Sequence, residues 1–194
     1  MLSGGEIRAA FTGLALLLRF DAHFVNWFDR SAAGARRSFR LMLPLLPITL
    51  VRIFMWYDAD PSTSAFEVGI SIATFYVLSR ISFPLLLIVI GRALEREGQA
   101  IAALSSYNWF GFSLSVLGFV VGLFGLFGPL AGPADIAITV IIIVSLVYEA
   151  FLLNTALGIG YFGAGLLAVV DYIIGQSLFI ALLIYPAIIV PQAI

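Results

Sequence analysis

Apolar residues run through this chain in long blocks broken by short polar connections. They do not alternate at the period of two that a half-buried strand requires. Five blocks, at about 40–57, 64–91, 107–129, 136–158 and 162–190, match the roughly 20 residues that cross a hydrocarbon core of about 30 Å at 1.5 Å rise per residue. The connections between them, Asp58 to Thr63, Arg92 to Ser106, Leu130 to Asp135 and Gly158 to Phe162, are too short to fold as soluble domains. The pattern predicts an all-α polytopic membrane protein with five transmembrane helices over residues 40–194. The glycine-rich last connection makes the fourth and fifth helices a hairpin, and Gly175 reads either as an ordinary helical position or as a kink within the fifth.

The first 39 residues have a different period. Ile7, Phe11, Leu14, Leu17 and Leu18 fall on one side of a helix, while Glu6, Arg8, Thr12 and Arg19 face elsewhere, which predicts an interfacial amphipathic helix. The same stretch does not read as a secretory signal: Glu6 sits in the region that should be positive, and no small-x-small site follows Arg19 directly. Phe20, Phe24, Trp27 and Phe28 continue the apolar pattern, and Arg30, Arg36, Arg37 and Arg40 follow before the first long block. Aromatic rings beside arginines suit the headgroup layer of an anionic leaflet, so these four arginines are candidate contacts for anionic lipid.

Composition narrows the chemistry. The chain is 62% hydrophobic and 11% charged, far from the near-even apolar and one-quarter charged balance of soluble domains. A net charge of −1 leaves no basic surface for nucleic acid. Without cysteine, and with only His23 as histidine, there is no thiolate nucleophile, no thiolate metal site and no His-rich zinc or haem pocket, so neither metal nor cofactor is expected. All ten cations are arginine, which also removes a Schiff-base lysine and the phosphate-loop lysine. Ser105, Ser106, Ser113, Ser115 and Thr155 offer hydroxyls without a GxSxG or a serine-to-base spacing, and the reading is non-enzymatic. Six arginines precede the first block, and Arg92 and Arg96 lie between the second and third. The other polar connections carry Asp58, Asp60 and Asp135. Arginine-rich short loops stay cytoplasmic, which places the N-terminus inside and, with five spans, the C-terminus outside a bacterial inner membrane.

Charges within apolar blocks are functional candidates because each costs a few kcal/mol to insert. Arg52 and Glu67 lie near the outer ends of the first two blocks and are expected to pair across them, as mutual neutralisation or with Arg52 reaching outward. Arg80, Glu149 and Asp171 each lie about 13 to 17 Å from the cytoplasmic block ends. One cation between two carboxylates reads either as a structural polar knot holding three helices or as a proton-binding or ion-binding site. Pro84 removes the hydrogen bond to the carbonyl of Arg80.

Tyr107, Asn108 and Trp109 open the third block. They read as an interfacial anchor and helix cap, or as a headgroup or ligand site. Gly118 and Gly122 form a GxxxG, extended by Gly111 with Ser115 and by Gly125 and Gly128, which predicts a helix packed closely against a neighbour inside the chain or in another protein. His23 sits among aromatic residues as a polar anchor. Asp58 and Asp60 before Pro61 read as a turn, with weak cation binding as the alternative.

Phe20-Asp21, Trp27-Phe28-Asp29, Arg37-Ser38-Phe39, Phe83-Pro84, Tyr107-Asn108-Trp109, Tyr148-Glu149 and Thr155-Ala156-Leu157-Gly158 resemble a group of small proteobacterial inner-membrane proteins. That group is similar in layout to the bacterial branch of the Yip family, whose eukaryotic relatives interact with Ypt/Rab GTPases. The resemblance implies five spans. It does not carry GTPase binding, because the cytoplasmic acidic-tyrosine-proline motif of those relatives has no counterpart before Leu41. The function expected is that of an accessory, assembly or membrane-organising factor whose partner is membrane lipid, anionic in type, another integral membrane protein or a second copy. The alternative is a small transporter or channel subunit using Arg80, Glu149 and Asp171.

Overall fold

A computed structural model describes residues 3–56, 64–127 and 134–184, which are helical almost throughout, with no strand among the described residues. Helix α1 (Gly4–Leu17) starts at a capping box in which Ser3 and Glu6 satisfy each other's backbone N–H groups. A 3₁₀ turn (Ala22–Trp27) follows, capped by Asp21. Helix α2 (Ala32–Ser38), capped by Ser31, leads through a 3₁₀ turn at Phe39–Leu41 into α3 (Met42–Trp56). Then come α4 (Ala65–Ala93), α5 (Glu97–Phe127), α6 (Ala134–Leu157) and α7 (Tyr161–Phe179), the last widening into a π turn at Ile180–Ile184.

Among the described residues, four helical stretches are long and apolar enough to cross a membrane: Ala65–Ala93, Glu97–Gly125, Ile136–Leu157 and Tyr161–Ile184. Their outward faces carry exposed Leu85 and Val89, Leu117 and Val120, Ile143 and Val147, and Leu166 and Ile173. Apolar side chains turned outward suit lipid, which satisfies them as a core would. Helix α3 has 15 residues with Pro47 inside, about 22 Å at 1.5 Å per residue, shorter than the other four. The turn α6–α7 is the expected tight hairpin, and α7 runs unbroken through Gly175 to the π turn. Asp58, Asp60, Gly128 and residues 185–190 of the fifth block lie outside the described residues.

The structure changes two expectations about the end of the bundle that carries the N-terminal segment. The connection read from Arg92 to Ser106 shrinks to Leu94–Arg96, because α5 begins at Glu97. Residues 97–106 look too mixed for a lipid-facing helix, yet Ala100, Ala103 and Leu104 are buried in the core that also takes in the N-terminal segment, so protein covers this part of α5. In addition, α1 presents only part of its apolar side outward. Ile7, Phe11 and Leu18 are exposed, while Ala10, Leu14 and Leu17 sit in the main core with Phe24 and Phe28. Residues 3–41 thus form a collar folded onto the ends of α5 and α6. Phe20 stacks on Tyr148 at 4.7 Å and meets Phe151 edge-on, and Phe24 packs on Phe151 at 5.7 Å. The Tyr148 hydroxyl donates to the carbonyl of Leu18 at 3.1 Å.

The two helical hairpins are tied at this end by Arg96. Its guanidinium donates to the carbonyls of Leu157 and Gly158 at 2.7 and 2.5 Å, meeting the free acceptors that end α6. Gly158 stands at φ +66, and a Cβ there would lie 2.8 Å from the Arg96 nitrogen, so the turn requires glycine both for its backbone and for its neighbour.

Candidate functional site

The collar orders its charges first. Arg37 of α2 donates through Nε to Glu6 Oε1 at 2.7 Å and through Nη2 to Asp29. Glu6 is held below the ordinary carboxylate range by the Ser3 backbone N–H and then by Arg37, and Asp29 by the Ser31 hydroxyl and backbone and then by Arg37. The Arg37 guanidinium is raised by Glu6 and then Asp29. Of the four arginines expected to face lipid, Arg37 is therefore engaged within the chain, whereas Arg30, Arg36 and Arg40 are exposed. His23 makes only a local contact, its Nδ1 lying 2.7 Å from Asp21 Oδ1; that carboxyl is held below its usual range by the His23 backbone N–H and then the ring.

Deeper in the bundle, α5, α6 and α7 bring Tyr107, Glu149 and Asp171 together. Tyr107 lies ten residues past Glu97, Asp171 ten past Tyr161, and Glu149 eight before Leu157, so all three sit about 12 to 15 Å from the same end of the bundle. The Tyr107 hydroxyl donates to Asp171 Oδ2 at 2.6 Å, and Glu149 has Asp171 as its electrostatic neighbour. Glu149 is buried, and its Oε1 has no hydrogen-bond partner among the described residues.

Arg80 does not stand between the two carboxylates. No ion pair joins it to either among the described residues. Its Nη2 donates to Ser115 Oγ on α5 at 3.3 Å, and its Nε is buried without a partner among the described residues. Arg80 still faces the group, with Tyr76, Tyr107 and Asp171 as its electrostatic neighbours. Tyr107 holds the place given to the cation. Its position in a helix start looked interfacial, but with α5 beginning at Glu97 the triplet Tyr107-Asn108-Trp109 lies inside the helix. Asn108 Nδ2 donates to the buried Ser38 Oγ at 2.8 Å, and buried Trp109 packs on Phe112 and Phe11.

Arg52 and Glu67 do not pair either. Glu67 is committed to its own helix start, where its Oε2 accepts from the Ser64 backbone N–H at 2.9 Å and the Ser64 hydroxyl at 2.8 Å. The sequence Ser64-x-x-Glu67, like Ser3-x-x-Glu6, is the signal for this capping box. Arg52 instead lies over α5: a Cβ on Gly118 would stand 3.8 Å from its Nη1. With Arg80 bonded to Ser115, the small-residue face of α5 gives room to two arginines. Gly111 fronts open space, and Gly122 is buried farther along the helix.

Two cavities among the described residues share Ser38, and the smaller one borders Arg80 and Tyr107. One of about 330 Å³ lies between α1, the 3₁₀ turn, α2 and α5, lined by Glu6, Trp27, Asp29, Arg37, Ser38, Ser105 and Trp109 among others. The other, about 40 Å³, lies between the α2–α3 junction, α4 and α5, and is lined by Ser38, Ser79, Arg80, Tyr107, Asn108 and Gly111 together with apolar residues of α3. Ser38 lines both. No group of three or more potential metal ligands occurs among the described residues. No family model, curated protein or solved structure matches this chain.

Proposed function

We propose that this is a non-enzymatic multi-pass protein of the bacterial inner membrane that organises lipid or assists another membrane protein from the collar side. The supporting observation is the collar: it is packed onto the bundle through Leu17, Phe24 and Phe28, yet it turns Phe11, Leu18, Trp27, Arg30, Arg36 and Arg40 outward. Rings and guanidinium groups on one rigid segment suit an anionic headgroup layer. In this reading α3 is the fifth span, with the N-terminus cytoplasmic and the C-terminus outward. That layout agrees with the resemblance to the bacterial Yip-like proteins. The test is purification in native nanodiscs with mass spectrometry of bound protein and lipid. Enrichment of anionic lipid or a stoichiometric membrane partner is expected, and recovery of the chain with bulk lipid alone would defeat the reading.

One observation favours a second reading, that of a small transporter or channel subunit. A carboxyl oxygen of Glu149 is buried without a partner beside a second carboxyl, an arrangement that a purely structural knot would be expected to satisfy. Ion or proton flux in reconstituted vesicles, lost in Glu149→Gln and Asp171→Asn, tests it. Absence of flux in wild-type vesicles would remove it.

A further inference from the structure

Glu149 is buried deep in the bundle with Asp171 as its electrostatic neighbour, and a carboxylate has no hydrogen to donate. Two neighbouring carboxyl groups held out of water do not both ionise, so such a pair retains a proton. Tyr107 already donates to Asp171 Oδ2, so that hydroxyl cannot also supply Glu149. The Oε1 of Glu149 has no hydrogen-bond partner among the described residues. The groups facing the pair are Tyr107 from α5 and Arg80 from α4, with Tyr76 of α4 and Arg52 of α3 next to Arg80.

Tyr107 also borders the 40 Å³ cavity. A space of that size accepts a water molecule when two to four polar groups face it, and Ser38, Ser79, Arg80, Tyr107 and Asn108 line it. Ser38 lines both this cavity and the 330 Å³ groove under the collar. Its hydroxyl donates to the carbonyl of Ala35 at 2.7 Å and accepts from Asn108 at 2.8 Å. Polar groups thus continue from the collar groove past Ser38 and Asn108 to Tyr107, and from Tyr107 to the two acids.

We propose that Glu149 and Asp171 form a proton-binding pair that exchanges with the collar-side solution through the Ser38–Asn108 cavity, with Tyr107 positioning Asp171. The pair is the one named in the transport reading, but the proposal concerns proton binding and access. A lack of flux would end that reading and leave this one intact.

The test uses the full chain in nanodiscs of phosphatidylethanolamine and phosphatidylglycerol, followed by infrared spectroscopy of the protonated-carboxyl stretch as a function of pH and after transfer into D₂O. A carboxyl band that titrates is expected, lost in Glu149→Gln and shifted in its midpoint in Tyr107→Phe. Gly111→Leu, at a position where a Cβ meets nothing within 4 Å, fills the cavity without touching the acids and should slow deuterium exchange of the band several-fold at unchanged amplitude. If Glu149→Gln does not fold, carboxyl ¹³C labelling of Glu or of Asp in the wild type assigns the band. No protonated carboxyl at any pH, or a band belonging to neither residue type, would overturn the proton site. Exchange in Gly111→Leu as fast as in the wild type would overturn the route.

Discussion

Arg96, at the mouth of α5, donates to the main-chain carbonyls of Leu157 and Gly158 at the end of α6, 61 and 62 positions away. One side chain thereby closes a helix end and levels the α4–α5 hairpin with the α6–α7 hairpin. The acid pair and its tyrosine lie on three of these four helices, so their common depth depends on this alignment.

Replacing Arg96 with Ala should leave those carbonyls to water and lower stability by about 1–2 kcal/mol. Gly158→Ala should cost a comparable amount, since φ +66 is strained for a residue with a Cβ and the methyl would press on Arg96. Thermal unfolding in detergent measures both. Because both act on one contact, the double variant should lose less than the sum; full additivity would separate the two effects.

Acid should loosen the collar. Glu6 and Asp29 bind protons less readily in the folded chain than in the unfolded one. Their contribution is complete above the ordinary carboxylate range and disappears as pH falls through their lowered folded values. Amide protection factors in α1 should therefore fall on acidification. In Arg37→Gln they should already be lower at neutral pH. Protection independent of pH across that window would rule out the three-residue knot as the tie.

Arginines of the collar should divide into two groups. Arg30, Arg36 and Arg40 changed together to Gln should reduce co-purified anionic lipid, each surface charge being worth on the order of 1 kcal/mol near an anionic membrane, with little change in melting. Arg37→Gln should do the reverse. Lipid quantification beside a melting curve distinguishes them, and equal lipid loss from Arg37→Gln alone would contradict the division.

On α5, Gly118→Ala should be tolerated to within about 0.5 kcal/mol, because the added methyl meets the Arg52 guanidinium at an ordinary contact distance. Gly118→Leu should displace Arg52 and lower the yield of folded protein. If alanine were as harmful as leucine, a helix backbone rather than a side chain would occupy that face.

Much of the architecture was legible in the chain itself. Membrane-spanning length and apolarity depend only on composition over about 20 residues, and α4, α6 and the α6–α7 hairpin fall close to the blocks that predict them. Both capping boxes are written in local sequence as well, since their partners are three residues apart. The similar depth of Glu149 and Asp171 likewise follows from counting along their helices. What the tertiary structure decided is which partner each polar group takes. Glu67 was read as a partner for Arg52 but is consumed by Ser64; Arg80 turns to Ser115 and leaves its place beside Asp171 to Tyr107. The early start of α5 was hidden for a related reason: residues 97–106 are covered by a collar that is distant in sequence, and hydropathy does not distinguish a surface covered by protein from one facing water. Periodicity reports one helix at a time, whereas hydrogen bonds and ion pairs form between helices whose rotation and level are set by packing and by contacts such as Arg96 with Gly158.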